Sequence, residues 1–266
     1  MQAVEPRLTA FEADLALISD AALRGGEIAM RYFGRKPDVW MKPGDSPVTQ
    51  ADIAVDTYLR ETLRAARPDY GWLSEETVDT PDRLKTERLF VVDPIDGTRA
   101  FIDKRDTWCV SIAVVEKGRP LAGVLACPAK AEFYSAALGG GAFLDGTGLS
   151  IRETDASPSI AGPKTMVDAA RERFPDLRTV PYIPSLAYRL AMVAAGRIDA
   201  TFVKPRSHDW DLAAADLILT EAGGGIRARE GGSPFYGGVS PQHGSLVAGG
   251  PYLLDRLSDI LIRQDA

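Results

Sequence analysis

Residues 89–98 read Leu-Phe-Val-Val-Asp-Pro-Ile-Asp-Gly-Thr, an apolar run that ends in two aspartates three positions apart. The run 89–92 has the length and side chains of a buried strand, and Pro94 and Gly97 bend the chain where that strand ends. Asp93 and Asp96 can therefore converge at a strand-to-turn junction. Converging carboxylates repel unless a cation sits between them, and an all-oxygen donor set suits a hard ion such as Mg²⁺. The same residues also fit an ordinary surface turn, so the pattern needs partners elsewhere in the chain.

Before this turn, residues 8–33 carry Leu15, Ile18, Ala22 and Ala29 at three-and-four spacing, which predicts an amphipathic helix ending near Gly34. Residues 40–47 read as a loop. A second helix is expected over 49–66, with Asp52 in its first turn. Glu75 and Glu76 follow the apolar stretch 71–73, as metal ligands or as a solvated strand end. After the turn, apolar runs at 110–115, 121–126 and 132–137 are separated by Lys117-Gly118 and Pro128-Ala129, which predicts antiparallel hairpins. Gly139 to Gly141 and Asp145-Gly146 read as hairpin turns.

Beyond residue 155 the pattern alternates: a strand over 164–167, a helix over 185–195, a strand over 200–203, a helix over 212–222 and a strand over 245–248. Two tightly packed subdomains are expected, an α+β part at 1–150 and an α/β part at 151–266, with the site in the crevice between them. Asp211 opens the helix at 212. It can cap that helix, a contribution of about 1 kcal/mol, or ligate a metal. The small row Ala213-Ala214-Ala215 lets another element come close and hold Asp211 rigidly.

The 266 residues are 45% apolar with a formal net charge of -6, which fits a globular chain and argues against a nucleic acid partner or an anionic membrane. No apolar run approaches the roughly 20 residues that span a bilayer, and the first segment lacks the order of a secretory signal, so a cytoplasmic protein is expected. Two cysteines, Cys109 and Cys127, and two histidines, His208 and His243, do not make a zinc site or a serine-histidine hydrolase. Neither a GxSxG elbow nor a glycine-rich phosphate loop is present. Carboxylate chemistry is what remains.

Together, Trp72-Leu73-Ser74-Glu75-Glu76, DPIDGTRAF from Asp93 and WDLAAADLILTEAGG from Trp210 resemble the inositol monophosphatase superfamily, in order and spacing over nearly the whole chain. The resemblance implies an α+β and α/β layered sandwich with alternating α-β-α-β-α layers. It implies two or three Mg²⁺ held by Glu75, Asp93, the Ile95 carbonyl, Asp96 and Asp211. It further implies Gly97 and Thr98 as phosphate-binding amides, and Asp52, Thr98 and Glu75 as the catalytic residues that orient or deprotonate the attacking water. Lys42 matches a mobile lysine-bearing loop, and lithium sensitivity and a homodimer come with the resemblance. Ser74 and Asp216 stand where many relatives carry glycine.

The substrate is expected to be a small phosphate ester. Ser185, Lys204 and Arg206 are the expected substrate contacts, and with Arg189 and His208 they bring enough positive charge for a second phosphate. Residues 101–143 are similar to bacterial 3'(2'),5'-bisphosphate nucleotidases, although Ala187 replaces a lysine common there. That substrate class is favoured over inositol-1-phosphate and histidinol phosphate. A reading from another class is a non-catalytic partner of the transcription machinery.

Overall fold

A computed structural model describes residues 5–35, 38–42, 46–152, 157–229 and 231–263. The apolar stripe before the acidic turn forms helix α1 (Glu5–Met30). Helix α2 (Gln50–Ala66) starts at a capping box, in which the Thr49 hydroxyl accepts from the backbone of Ala51 and Asp52 while Asp52 accepts from the Thr49 amide. Strands β1 (Val39–Lys42) and β2 (Ser46–Thr49) pair antiparallel between the helices, which corrects the loop expected over 40–47. Val39, Trp40 and Met41 are all exposed, so this hairpin has no buried face to give it an alternating pattern. Residues 43–45 of that expectation lie outside the described residues.

A seven-stranded sheet follows in chain order: β3 (Gly71–Ser74), β4 (Arg88–Asp96), β5 (Cys109–Glu116), β6 (Arg119–Cys127), β7 (Glu132–Ala137), β8 (Gly141–Leu144) and β9 (Thr147–Gly148). All neighbours are antiparallel except β3 and β4, which run parallel with Ser74 opposite Val92. Residues 75 and 93 therefore come side by side at the same end of the sheet, where β4 continues to pair with β5 alone. The short helix α3 (Thr98–Ile102) starts one residue after β4.

The second sheet uses β10 (Ser159–Ala161), β11 (Arg178–Thr179), β12 (Ala200–Val203), β14 (Gly225–Ala228) and β16 (Leu246–Gly249), in the order β11-β10-β12-β16-β14. A separate ladder joins β13 (Ser207–His208) to β15 (Gln242–His243). Residues 164–167, expected as a strand, are the start of helix α4 (Lys164–Ala170), with the strand just before them. Met166, Val167 and Ala170 are buried at helical spacing, and four residues were too few to tell that period from alternation. Helices α5 (Leu186–Ala194), α6 (Asp209–Glu221) and α7 (Pro251–Arg263) complete the fold.

The layers follow from what each face buries. Phe90, Val92, Val110, Ile112 and Val124 pack against α1 and α2, whereas Leu89, Val91, Ala113 and Leu125 pack against α5 and α6. The second sheet lies beyond α5 and α6, and α4 and α7 cover its outer side through Met166, Val167, Leu257 and Leu261. The result is the alternating α-β-α-β-α sandwich. At its centre a Cβ on Gly123 would stand 2.9 Å from the Ala214 carbonyl oxygen, so the alanine row of α6 rests directly on β6. Among the described residues no helix is long and apolar enough to cross a membrane.

Candidate active site

Side chains alternate along a strand, so residues three apart, such as Asp93 and Asp96, belong on opposite faces. The ladder with β5 prevents this. Asp93 pairs with Ser111 and Asp96 with Cys109, so three steps on β4 match two on β5, and the bulge turns both carboxylates to one side. Gly97 then takes a left-handed conformation with φ of 94°, where a Cβ would lie 2.9 Å from that of Ser185. Ile95 turns its side chain into the α1–α2 core, and its carbonyl lies 3.1 Å from the Thr98 hydroxyl.

Asp96 reaches the start of α5, where it accepts from the Ser185 hydroxyl at 2.5 Å and from the amides of Ala187 at 2.6 Å and Leu186 at 3.3 Å. Burial raises this carboxyl to about 7, with repulsion from Asp211 adding to the rise and the donors on α5 opposing it. Asp93 lies well above the ordinary carboxylate range, through burial and then repulsion from Glu75, Asp96 and Asp211. Carboxylate oxygens of Asp93, Asp96 and Asp211 all lie within 4.8 Å of one another. Three buried or half-buried carboxylates at that separation, each raising its neighbours' cost of ionising, form a donor set that fits a hard divalent cation.

Asp211 arrives from α6. The helix starts at Asp209 rather than 212, with His208 as its cap, so Asp211 is not the cap read from the sequence but the third residue of the helix; its Oδ2 accepts from the His208 amide at 2.6 Å, which closes the capping box. Beneath it, fully buried Asp209 accepts from the Gly237 amide at 2.7 Å and lies 2.7 Å from the ring nitrogen of His243. Asp216 faces away from the cluster and accepts from the Tyr236 hydroxyl at 2.8 Å.

Glu75 lies beside the three aspartates but is held by a lysine. Lys42 Nζ donates to Glu75 at 3.0 Å and to Glu76 at 2.6 Å, from strand β1. Burial works against the Lys42 charge, yet the two glutamates outweigh it and hold the amine above its usual value. Glu75 is raised by burial, which Lys42 opposes and Asp211 reinforces, and Glu76 is lifted to about 7 by burial. Behind this pair, Ser74 donates to Asp56 at 2.5 Å and Thr77 donates to the other Asp56 oxygen at 2.9 Å. Asp56 went unread in the sequence; its position one helical turn after Asp52 was the only available signal.

Asp52 points from the first turn of α2 into the same region. Its Oδ1 lies 3.2 Å from the Thr98 hydroxyl, and its Oδ2 accepts from the Thr49 hydroxyl at 2.6 Å. Burial raises Asp52, against the pull of the Thr49 and Thr98 donors.

These groups open onto a cavity of about 1100 Å³ between the two sheets, lined by Glu75, Asp93, Asp96, Gly97, Thr98 and Asp211 on one wall. Lys204 and Arg206 also line it, both exposed. Ser185 does not reach the cavity: it is fully buried and its hydroxyl is committed to Asp96, so the expected substrate contact is instead a support for that carboxylate. Lys42 also lines the cavity, from a strand rather than a loop.

The sequence profile of the inositol monophosphatase family matches residues 12–261. The chain belongs to the inositol monophosphatase family. Members of this family are metal-dependent phosphatases of phosphate monoesters, and so is this chain. An inositol monophosphatase of Dictyostelium discoideum is 30% identical over 254 residues, covering 90% of this chain and 91% of its own. A histidinol-phosphatase of Mycobacterium tuberculosis is 35% identical over 241 residues, covering 85% and 91%. The crystal structure of the extragenic suppressor protein suhB from Bartonella henselae superposes with a TM-score of 0.82 at 29% identity, covering 94% of this chain and 98% of that one. Relatives named for different substrates are thus similar to this chain over most of its length.

Proposed function

We propose that this chain is a Mg²⁺-dependent phosphomonoesterase whose substrate carries a second anionic group, with adenosine 3',5'-bisphosphate as the best fit. The observation that carries the phosphatase chemistry is the convergence of Asp93, Asp96 and Asp211 within 4.8 Å, beside the Asp52–Thr98 pair. In this reading Glu75, Asp93, the Ile95 carbonyl, Asp96 and Asp211 hold two or three Mg²⁺, with residues 1–150 supplying all but Asp211. Bound there, Mg²⁺ supplies charge neutralisation on the phosphoryl oxygens and a lower pKa for the attacking water.

The chain's own residues do the rest. Gly97 and the start of α3 present backbone amides to the phosphoryl group. Thr98 is within reach of two acceptors, Asp52 at 3.2 Å and the Ile95 carbonyl at 3.1 Å, but has one proton to give. Donating to Asp52 leaves the hydroxyl oxygen as an acceptor for the nucleophilic water and the Ile95 carbonyl free to ligate. Asp52 takes the proton that Thr98 passes on.

For the leaving group, the support is charge: Arg171, Arg189, Lys204 and Arg206 line the same cavity as the carboxylates. A neutral polyol leaves that charge unanswered, whereas a second phosphate pairs with it. The test is kcat/KM for phosphate release from adenosine 3',5'-bisphosphate, inositol-1-phosphate and histidinol phosphate at saturating Mg²⁺. A clear preference for the bisphosphate is expected. Preference for either of the others overturns the substrate reading, and no Mg²⁺-dependent release from any of them overturns the hydrolase.

A further inference from the structure

Of the cations along the cavity, most already have their charge answered or stand in water. Lys42 is paired with Glu75 and Glu76, Lys164 Nζ donates to Asp168 at 2.6 Å, and Lys204 and Arg206 are exposed. Arg189 differs. It lines the cavity, yet its Nε is buried and meets no acceptor among the described residues. Among the described residues its guanidinium makes one hydrogen bond, from Nη2 to the Phe202 carbonyl at 3.3 Å, and forms no ion pair with a carboxylate.

A half-buried guanidinium whose Nε is shut off from water and without a counter-ion is costly, since the energy of removing the charge from water is recovered only when an anion pairs with it. Burial accordingly pulls Arg189 below its usual value, with attraction from Asp96 opposing. The fork of an arginine matches a phosphate with two parallel hydrogen bonds, and a free Nε beside the Nη groups is the edge that makes such a pair. Position is as telling as charge. Arg189 lies one turn along α5 from Ser185, to whose carbonyl its amide donates at 3.2 Å, and the start of that helix holds Asp96. One rigid helix therefore fixes a phosphoryl-side carboxylate and, a turn away, an unanswered cation.

We infer that Arg189 is the specificity-determining residue of this site, forming a subsite for a second phosphate monoester on the same small substrate. This rests on the phosphatase reading above and names the group that selects among its substrates. Adenosine 5'-monophosphate, which carries the second phosphate alone, would then bind at Arg189 without metal, whereas a phosphate beside the carboxylates needs a cation to offset their repulsion.

Two measurements test this. The first is the ratio of kcat/KM for adenosine 3',5'-bisphosphate over adenosine 3'-monophosphate, substrates that differ only in the second phosphate. Arg189→Met is expected to lower that ratio about tenfold or more, the loss of a charge-assisted pair. The second is calorimetric titration of adenosine 5'-monophosphate into protein held in chelator, where Arg189→Met is expected to weaken binding by a similar factor. Arg189→Lys, which keeps the charge but not the fork, is expected to lie between and serves if the methionine variant does not fold. Equal losses on both nucleotides would make Arg189 a support for Asp96 and overturn the subsite, as would wild-type protein that takes up no monophosphate in chelator. Wild-type protein that hydrolyses the bisphosphate with a ratio indifferent to Arg189 keeps the nucleotidase reading and sinks the subsite. Protein that hydrolyses neither nucleotide, yet loses monophosphate affinity on Arg189→Met, does the reverse.

Discussion

The Thr98 hydroxyl lies 3.2 Å from a carboxylate oxygen of Asp52, a residue 46 positions earlier in the chain. The contact joins the first turn of α2 to the turn after β4, and the capping box holds the Asp52 side chain back toward Thr49 at its own helix start. If Asp52 is the proton acceptor, Asp52→Asn removes the base but keeps an oxygen for the Thr49 amide. We predict a fall in kcat of about 100-fold or more with the melting temperature little changed. Steady-state phosphate release beside a thermal melt checks this, and a near-normal kcat would remove Asp52 from the proton path.

Gly97 is required by its conformation and by its neighbour. An added methyl group would be strained at φ of 94° and would press on Ser185, the residue that holds Asp96. Gly97→Ala is predicted to cost about 2 kcal/mol in stability and to lower kcat at the same time. Chemical denaturation with a parallel rate assay would show both changes; a stable, fully active variant would contradict the placement of this turn.

Ser74 supplies one of the two side-chain hydroxyl donors to buried Asp56, immediately before Glu75. Ser74→Ala leaves an Asp56 oxygen without that partner, at an expected cost of about 1–3 kcal/mol. Because Ser74 also fixes where Glu75 begins, the concentration of Mg²⁺ giving half-maximal rate is predicted to rise. A glycine at this position is predicted to behave like the alanine.

The acidic cluster gives stability a definite pH dependence. Asp96 is held at about 7, and Asp93 and Glu75 are also raised by burial and repulsion. In the folded, metal-free chain these groups keep protons that the unfolded chain releases near pH ~4, so their contribution is complete in acid and is lost as pH rises through about 7. Metal reverses this, since only the deprotonated carboxylates bind it. Mg²⁺ is therefore predicted to raise the melting temperature more at about pH 8 than at about pH 5.5, and a larger effect in acid would contradict the assignment.

Much of this site was legible because chemistry and local structure coincide in short segments. Asp93 and Asp96 stand out at the end of an apolar run, and Asp211 at a helix start followed by alanines, where small side chains announce the close approach seen at Gly123. What was not legible depends on contacts between distant segments. The parallel pairing of β3 with β4, which brings Glu75 to the cluster, leaves no local signature, and the bulge that aligns Asp93 with Asp96 is set by the register of β5. Ser185 read as a substrate contact, whereas its hydroxyl accepts from the Tyr188 amide as a helix cap and donates to Asp96 within the core, a pairing with a residue 89 positions away that leaves no local signal. The β1–β2 hairpin was missed for the opposite reason, since an exposed strand pair carries no hydrophobic period.

On the proposed reading, Asp93, Asp96 and Asp211 together hold the divalent ion on which hydrolysis depends. Phosphate release by Asp93→Asn, measured across a Mg²⁺ titration with the wild-type protein's best substrate, decides whether they do. The prediction is a folded protein whose rate falls about 1000-fold or more at every Mg²⁺ concentration. A variant with the wild-type rate and the wild-type Mg²⁺ dependence would contradict it.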